Sequence, residues 1–360
     1  MSRFRWGVFG TGAISAKFVA GLATAHDAQV TMIASRSLET ARRFAAGTGI
    51  GRPIAGYAEA AAAGGVDAVY VATPPSEHVA HALLCIEAGI PVLVEKPLAT
   101  SAAEARRIAD AARAAGVFAM EGMWTRFLPA AVAMRERVRS GAVGEVRLLA
   151  GNFGTSQVPD PSAGMFDPAR AGGALTHLAP YPLSLAQWLL GTPDLVQATG
   201  RTGDTGVDED VVVHLRYPGG VLASFYVTNR GWAPDDFHVV GTDGLLALEG
   251  SIVRPHGLTV SAEPPRPAEA AAFGWRSRLR QHPLVHAVAQ RTGRSSRGAA
   301  RRSAHRYAGN GYHYEADEVR ACVERGMTES EVVPLDDSIA VAATVDDIRA
   351  AMRARDEETP

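Results

Sequence analysis

Two patterns of apolar positions divide the chain. Up to residue 122, short apolar runs at residues 5–9, 29–35, 66–73, 92–94 and 117–121 alternate with stretches of helical period at 16–25, 76–89 and 101–115. Runs of this length, rich in Val, Ile and aromatics, predict buried strands, and their alternation with helices predicts a parallel βαβ unit. Beyond it the order changes. After a helix at 129–140 and a strand at 145–153, strand-like runs at 195–202, 208–216, 221–228 and 236–241 follow one another. They are punctuated by turns at Pro218-Gly219-Gly220 and Thr242-Asp243-Gly244. Strands without intervening helices predict antiparallel pairing. Between 171 and 190 lies a further helical stretch, and 312–326 and 336–354 read as amphipathic helices. At 360 residues the chain exceeds the usual size of one core, so two domains are expected, 1–122 and 123–360.

Composition narrows the function classes. Hydrophobic residues make up 47% and charged residues 21%, and the net charge of −2 gives no overall attraction to nucleic acid or membranes. Cys85 and Cys322 are far apart and show no zinc or disulfide spacing, so neither is expected. With no leader pattern before the first strand and no run of 18 apolar residues, a cytoplasmic protein is expected. One bias stands out: 34 of the 36 basic residues are Arg, and only Lys17 and Lys96 are Lys. Residues 262–311 form an Arg-rich excursion, with nine Arg and no Asp or Glu between 270 and 313. It reads either as an anion-binding arm or as a solvated, subunit-contacting loop.

Candidate chemistry collects at the ends of the predicted parallel strands, where ligands of open α/β sheets bind. The first strand runs into Gly10-Thr11-Gly12-Ala13-Ile14, then Ser15, and then a helix. Gly10 suits a tight turn, Gly12 a close approach to a pyrophosphate on the helix N-terminus, and Ser15 takes the place of a third glycine. The second strand ends in Ser35-Arg36, without the carboxylate that would receive a ribose 2′-hydroxyl. A hydroxyl and a guanidinium suit a 2′-phosphate, which favours NADP over NAD; a plain surface charge is the other reading of Arg36. The strand at 92–94 ends in Glu95-Lys96-Pro97. Arg cannot give up its proton at neutral pH and Lys can, so a rare Lys at a strand end reads as an acid or base. His78 and His81 are too few to hold a metal.

Taken in order, Gly10-Thr11-Gly12-Ala13-Ile14, the stretch from Ala72 through Thr73 and Pro74 to His78, Glu95-Lys96-Pro97, Glu121 to Phe127, Gly241 to Gly244 and Tyr312 to Glu315 resemble the glucose–fructose oxidoreductase, inositol dehydrogenase and rhizopine catabolism (Gfo/Idh/MocA) family. They are most similar to its branch of dimeric dihydrodiol and aldose dehydrogenases. The resemblance implies an α/β protein with an N-terminal Rossmann domain and a C-terminal α/β domain built on a large, open, mostly antiparallel sheet. It implies cofactor contacts from the glycine turn, Ser35, Arg36, Thr73, Pro74, His78, Glu95 and Lys96. A homodimer or homotetramer through the exposed face of the second sheet is also implied. In the segment 171–181 the family carries Asp followed four residues later by His or Tyr; here the pair is His177 and Tyr181, one helical turn apart.

The reaction this implies is hydride transfer between nicotinamide and a hydroxyl-bearing or carbonyl carbon of a sugar, cyclic polyol or dihydrodiol, without a metal. Lys96 and Tyr181 are the candidate acid–base pair, and the sequence does not choose the proximal one. A nearby ammonium is expected to lower the Tyr181 pKa. His177 is expected to titrate in the site or to serve only a structural role. Trp124 and Arg126 read as stacking on and hydrogen-bonding a ring substrate, or as core packing and a surface salt bridge. Two rival functions remain: a non-catalytic NADP-sensing regulator, against which Lys96 and Tyr181 argue, and the same chemistry on a phosphorylated or nucleotide-linked sugar.

Overall fold

A computed structural model describes residues 3–25, 27–262 and 300–358, and most of the Arg-rich excursion lies outside the described residues. The first sheet comprises β1 (Phe4–Phe9), β2 (Ala28–Ser35), β3 (Arg52–Ala55), β4 (Ala68–Val71), β5 (Val92–Glu95) and β6 (Ala119–Gly122). All pairings are parallel, in the spatial order 3-2-1-4-5-6 of a Rossmann sheet. The crossovers carry α1 (Ala13–Leu22), α2 (Leu38–Thr48), α3 (Tyr57–Ala63), α4 (His78–Glu87) and α5 (Ala102–Ala115). Ser37 and Ser101 cap α2 and α5 by accepting from Thr40 N and Glu104 N, while Gly49 and Gly116 end them in left-handed conformation.

After α6 (Pro129–Arg139) comes β7 (Val146–Gly154), then α7 (Ala174–His177) and α8 (Pro180–Leu190). The chain continues through β8 (Leu195–Thr202), β9 (Asp208–Arg216), β10 (Leu222–Thr228), β11 (Phe237–Gly241), β12 (Gly244–Glu249), β13 (Gly257–Ala262) and β14 (Ala300–Ala304). Among the described residues these strands form one eight-stranded sheet in the order 14-13-12-11-7-10-9-8. Its pairings are antiparallel except β7 with β10, which run parallel at its centre. Burial alternates along β9 and β10, so one face packs inward and the other is open. The open face carries Val212, 44% exposed, paired with Tyr226, 40% exposed.

The last two helices, α9 (Tyr312–Glu324) and α10 (Leu335–Glu358), return to the first sheet. Tyr312 meets Phe18 of α1 at 6.5 Å between ring centroids, and Leu335 is fully buried in the cluster that holds Val92 and Ala105. Gly21 lets this happen: a Cβ there would fall 2.8 Å from Tyr312 Cβ. Among the described residues no helix is long and apolar enough to cross a membrane.

Candidate active site

The ends of β1, β2, β4, β5 and β6 share one edge of the first sheet. Gly10 has φ +105°, and a Cβ there would sit 2.5 Å from the Ala72 carbonyl oxygen, so the turn out of β1 can pass the end of β4 only as glycine. Gly12 caps α1 in extended conformation and makes no side-chain hydrogen bond; a Cβ on it would meet nothing within 4 Å. With Thr11 half-buried and Ala13 exposed, the first amides of α1 face open space and have no capping side chain. Ser15 is fully buried against the sheet, its hydroxyl without a partner. At the end of β2, Ser35 is buried, whereas Arg36 is exposed and has no carboxylate partner among the described residues. These features fit a dinucleotide: free amides at a helix start suit a pyrophosphate, and a free guanidinium beyond β2 suits an anionic ribose substituent.

Lys96 follows β5 in a half-buried position. Its Nζ donates to the His177 carbonyl oxygen at 2.7 Å and lies 4.8 Å from the centroid of the Tyr181 ring. Burial lowers the Lys96 pKa, aided by Lys17 and opposed by the carboxylates of Glu95 and Glu121. The Lys96–Pro97 peptide is cis.

His78, expected to touch the cofactor, is instead fully buried. Its Nδ1 lies 2.8 Å from the Pro97 carbonyl oxygen and its Nε2 2.9 Å from that of Thr73, so it holds the two strand-end loops together. Burial pushes it down to about 4 against the pull of those carbonyls. Thr73 is buried as well, its hydroxyl 3.0 Å from His81 Nδ1, while Pro74 is half-buried at the start of a 3-10 turn. Glu95, also expected at the cofactor, has its side chain buried. Strand alternation puts its side chain on the face of Leu93, in the core, where the Tyr70 hydroxyl donates to it. Burial raises Glu95 to about 6.

His177 and Tyr181 do not share one continuous helix. Pro180 has no N–H to give to the Thr176 carbonyl and its ring crowds it, so the helix stops at His177 and restarts as α8. Tyr181 N turns to the Leu178 carbonyl instead, and the His177 carbonyl is left for Lys96. The start of α7 is fixed by Asp208, which accepts from Leu175 N at 2.6 Å. His177 Nε2 is buried without a partner, and burial, with Lys96 next, pushes the imidazole down to about 3. It is therefore neutral in ordinary buffers, which favours the structural over the titrating of the two roles expected for it. Tyr181 also reverses its expectation. Its hydroxyl is raised, first by burial and then by Glu95 and Glu315, because the ammonium stands over the ring rather than beside the oxygen. Phe153 at the end of β7 meets the Tyr181 ring edge-on at 5.3 Å.

Trp124 and Arg126 sit in a 3-10 turn after β6. Trp124 is 2% exposed and stacks on Tyr312 at 4.6 Å, so it offers no open ring face; its indole N–H is turned towards the Tyr181 hydroxyl. Arg126 points away from the site. Its guanidinium, 1% exposed, donates to Ser184 Oγ and O, the Val332 carbonyl and Asp337 Oδ2 at 2.6 Å. Of the two readings the sequence offered, core packing for Trp124 and a salt bridge for Arg126 match this geometry, with the ion pair buried rather than at the surface. Two residues that the sequence did not single out, Asp208 and Arg254, bear on the site, as does Glu315 of the Tyr312–Glu315 motif. Glu315 is fully buried, neither carboxyl oxygen has a partner, and burial holds its pKa well above the ordinary range. Tyr312 to Glu315 was visible only as a motif; Arg254 carried no local signal.

The arrangement brings together a half-buried amine of lowered pKa, a phenol, a neutral imidazole with a free nitrogen, and an open helix start. Together these can bind an anionic dinucleotide and move one proton at a neighbouring hydroxyl. Among the described residues, no cluster of three or more His, Cys, Asp or Glu is placed to hold a metal.

Known proteins share both the sequence and the fold. Residues 4–123 match the GFO/IDH/MocA description "Oxidoreductase family, NAD-binding Rossmann fold", and residues 131–247 match its C-terminal domain. Trans-1,2-dihydrobenzene-1,2-diol dehydrogenase of Bos taurus is 33% identical over 356 residues, covering 97% of this chain and 96% of the relative. The Homo sapiens protein of that name is 32% identical over 358 residues, with the same coverage. The structure of aldose-aldose oxidoreductase from Caulobacter crescentus complexed with glycerol superposes with a TM-score of 0.80 over 98% of both chains, at 21% identity.

Proposed function

This chain belongs to the GFO/IDH/MocA family of NAD(P)-dependent oxidoreductases, and from that premise we propose that it oxidises a ring-borne secondary alcohol, or reduces the corresponding ketone, with Lys96 as the proximal proton carrier. Residues 1–122 hold the cofactor and 123–360 shape the substrate site and the contact between copies. The bound nicotinamide supplies the hydride chemistry. The protein's part is to place the carbon and handle one proton. The observation that carries the assignment is the Lys96 geometry: Nζ is fixed at 2.7 Å on a neutral carbonyl, and burial lowers its pKa while raising that of Tyr181. An amine moved towards neutrality can take the hydroxyl proton; a phenol moved away from it remains a donor that orients the same oxygen. The free Nε2 of His177 is a further hydrogen-bonding group for the remaining hydroxyls.

The substrate class we favour is a cyclic diol or sugar, the class named in the relatives above. NADP is the favoured cofactor because Arg36 stands uncommitted beyond β2. A homodimer or homotetramer would cover the open face around Val212, Leu222 and Tyr226. The test is a panel of sugars, cyclic polyols and dihydrodiols followed by nicotinamide absorbance with each cofactor. Arg36→Ala is expected to raise KM for NADP selectively, by an amount equivalent to ~1.5–3 kcal/mol. Equal effects on both cofactors would refute the cofactor assignment, and no turnover of any ring alcohol would refute the substrate class.

A further inference from the structure

One cation at the site has no part in the reaction above. Arg254 lies in the connection between β12 and β13, and that connection is held from both ends. Ile252 is fully buried, Pro255 is buried, and Thr125 Oγ1 donates to the Val253 carbonyl at 3.2 Å, which ties the loop to the turn bearing Trp124. The guanidinium carbon lies 5.9 Å from the centroid of the Trp124 ring. Its charge reaches Tyr181, Tyr307 and Tyr312, lowering each phenol against the rise that burial causes.

Arg254 is nevertheless exposed, and among the described residues nothing accepts a hydrogen bond from its side chain. Arg126, inside the core, is committed to Asp337, as are Arg113 to Glu329 and Asp336 and Arg230 to Glu209. The two carboxyl groups that also act on Tyr181 do not serve it. Glu95 is buried and receives the Tyr70 hydroxyl, and Glu315 is fully buried with no partner at all. A guanidinium offers five donors in a rigid fork and no acceptor. Held on a fixed loop beside the Trp124 indole, with its charge reaching Tyr181, it has a fork free for an anion.

We propose that Arg254 is a specificity-determining residue that receives an anionic substituent, a carboxylate or phosphate, carried by the ring substrate. This rests on the oxidoreductase reading and on Tyr181 facing the substrate. The reacting hydroxyl then lies between Lys96 and Tyr181 while the anion is pinned at the other side of the phenol, which fixes the orientation of the ring.

The test uses the full chain with NADP and matched substrates: D-glucose, D-glucuronate and D-glucose 6-phosphate, and a dihydrobenzenediol with its ring-carboxylated counterpart. The anionic member of a pair is expected to be preferred. Arg254→Gln should lower its kcat/KM relative to the neutral member by ~10–100-fold, mostly through KM, with Arg254→Lys in between. The carboxylate and phosphate arms identify which anion is accepted. Equal use of neutral and anionic substrates by the parent, or an equal loss on both in Arg254→Gln, overturns the proposal. Calorimetric titration of D-glucuronate and D-glucose 6-phosphate into the NADPH complex separates the two readings. Anion binding that is lost in Arg254→Gln, without turnover of any ring alcohol, upholds the anion site and refutes the reaction. Equal binding by parent and variant refutes the anion site.

Discussion

Replacing Lys96 by Met keeps the length of the side chain and removes its proton. The ammonium gives one hydrogen bond, to the His177 carbonyl at 2.7 Å, and faces the Tyr181 ring at 4.8 Å. If it carries the proton, its loss should lower kcat by ~10²–10⁴-fold, equivalent to ~3–5 kcal/mol at about 1.36 kcal/mol per tenfold. Stability follows a different sign. The bond to the carbonyl is lost, but so is the burial of a charge, whose cost shows in the lowered pKa. A Lys pKa below its unfolded value means that the unfolded chain binds more protons between the folded pKa and ~10.4. The parent therefore gains stability as pH rises through that window, and Lys96→Met should lack the gain. Steady-state turnover, NADPH binding by fluorescence and urea midpoints at neutral and alkaline pH measure all three effects. A variant that binds NADPH and turns over near the parent rate would show that Lys96 carries no proton in the reaction.

His177→Asn should leave the pH–rate profile in place between about pH 5 and 9, since the imidazole is held at about 3. His177→Asp should raise the Lys96 pKa and move its limb up by ~1 unit; a limb that vanishes in the Asn variant would contradict this. Arg126→Met should cost ~3–5 kcal/mol of stability, towards the lower end because Asp337 can still reach water, with little change in substrate KM. A raised KM with an intact urea midpoint would restore the substrate contact. Burial raises the Glu315 pKa well above its unfolded value, so its contribution is present below ~4.3 and is lost as pH rises through the folded value. Glu315→Gln should therefore gain on the parent between acid and mildly alkaline urea titrations, and identical pH dependence would show that Glu315 is ionised when folded.

How much the sequence revealed depended on the range of the interaction that sets each feature. β8 and β9 end where period-two alternation ends, at Thr202 and Arg216. β3 escaped notice because Arg52-Pro53-Ile54-Ala55 is a four-residue edge strand with no apolar run. β12 to β14 were missed for a related reason: Leu245 to Leu248 is a continuous apolar stretch without a period, and β14 is exposed along its length. The parallel pairing of β7 with β10 depends on a long crossover and has no local mark. At the site, the glycine turn and Lys96 were legible because neighbours in sequence make them. Arg126 was not, since its partner Asp337 lies 211 residues away. The break between α7 and α8 was written in Pro180 and Pro182, and helix periodicity masked it. Tyr181 was misjudged because its pKa depends on which side of the ring the ammonium takes and on Glu315 far along the chain.

The return of α9 and α10 to the first sheet bears on how the chain is born. Ser338 Oγ donates to Glu121, Ala102 N to Asp346, and Ala119 N to the Thr328 carbonyl. Val319 and Leu335 are fully buried where the two helices pack. A ribosome making this protein releases the strands of the first sheet well before residues 312–350 exist to cover them. The surfaces that these helices cover, among them the edge of Phe18 that meets Tyr312 and the side of the cluster that receives Leu335, stay open until then. The nucleotide-binding unit comes first in sequence and is completed last in time. Pauses late in synthesis would prolong this exposed interval, and stalled chains lacking the final helices should be the aggregation-prone ones.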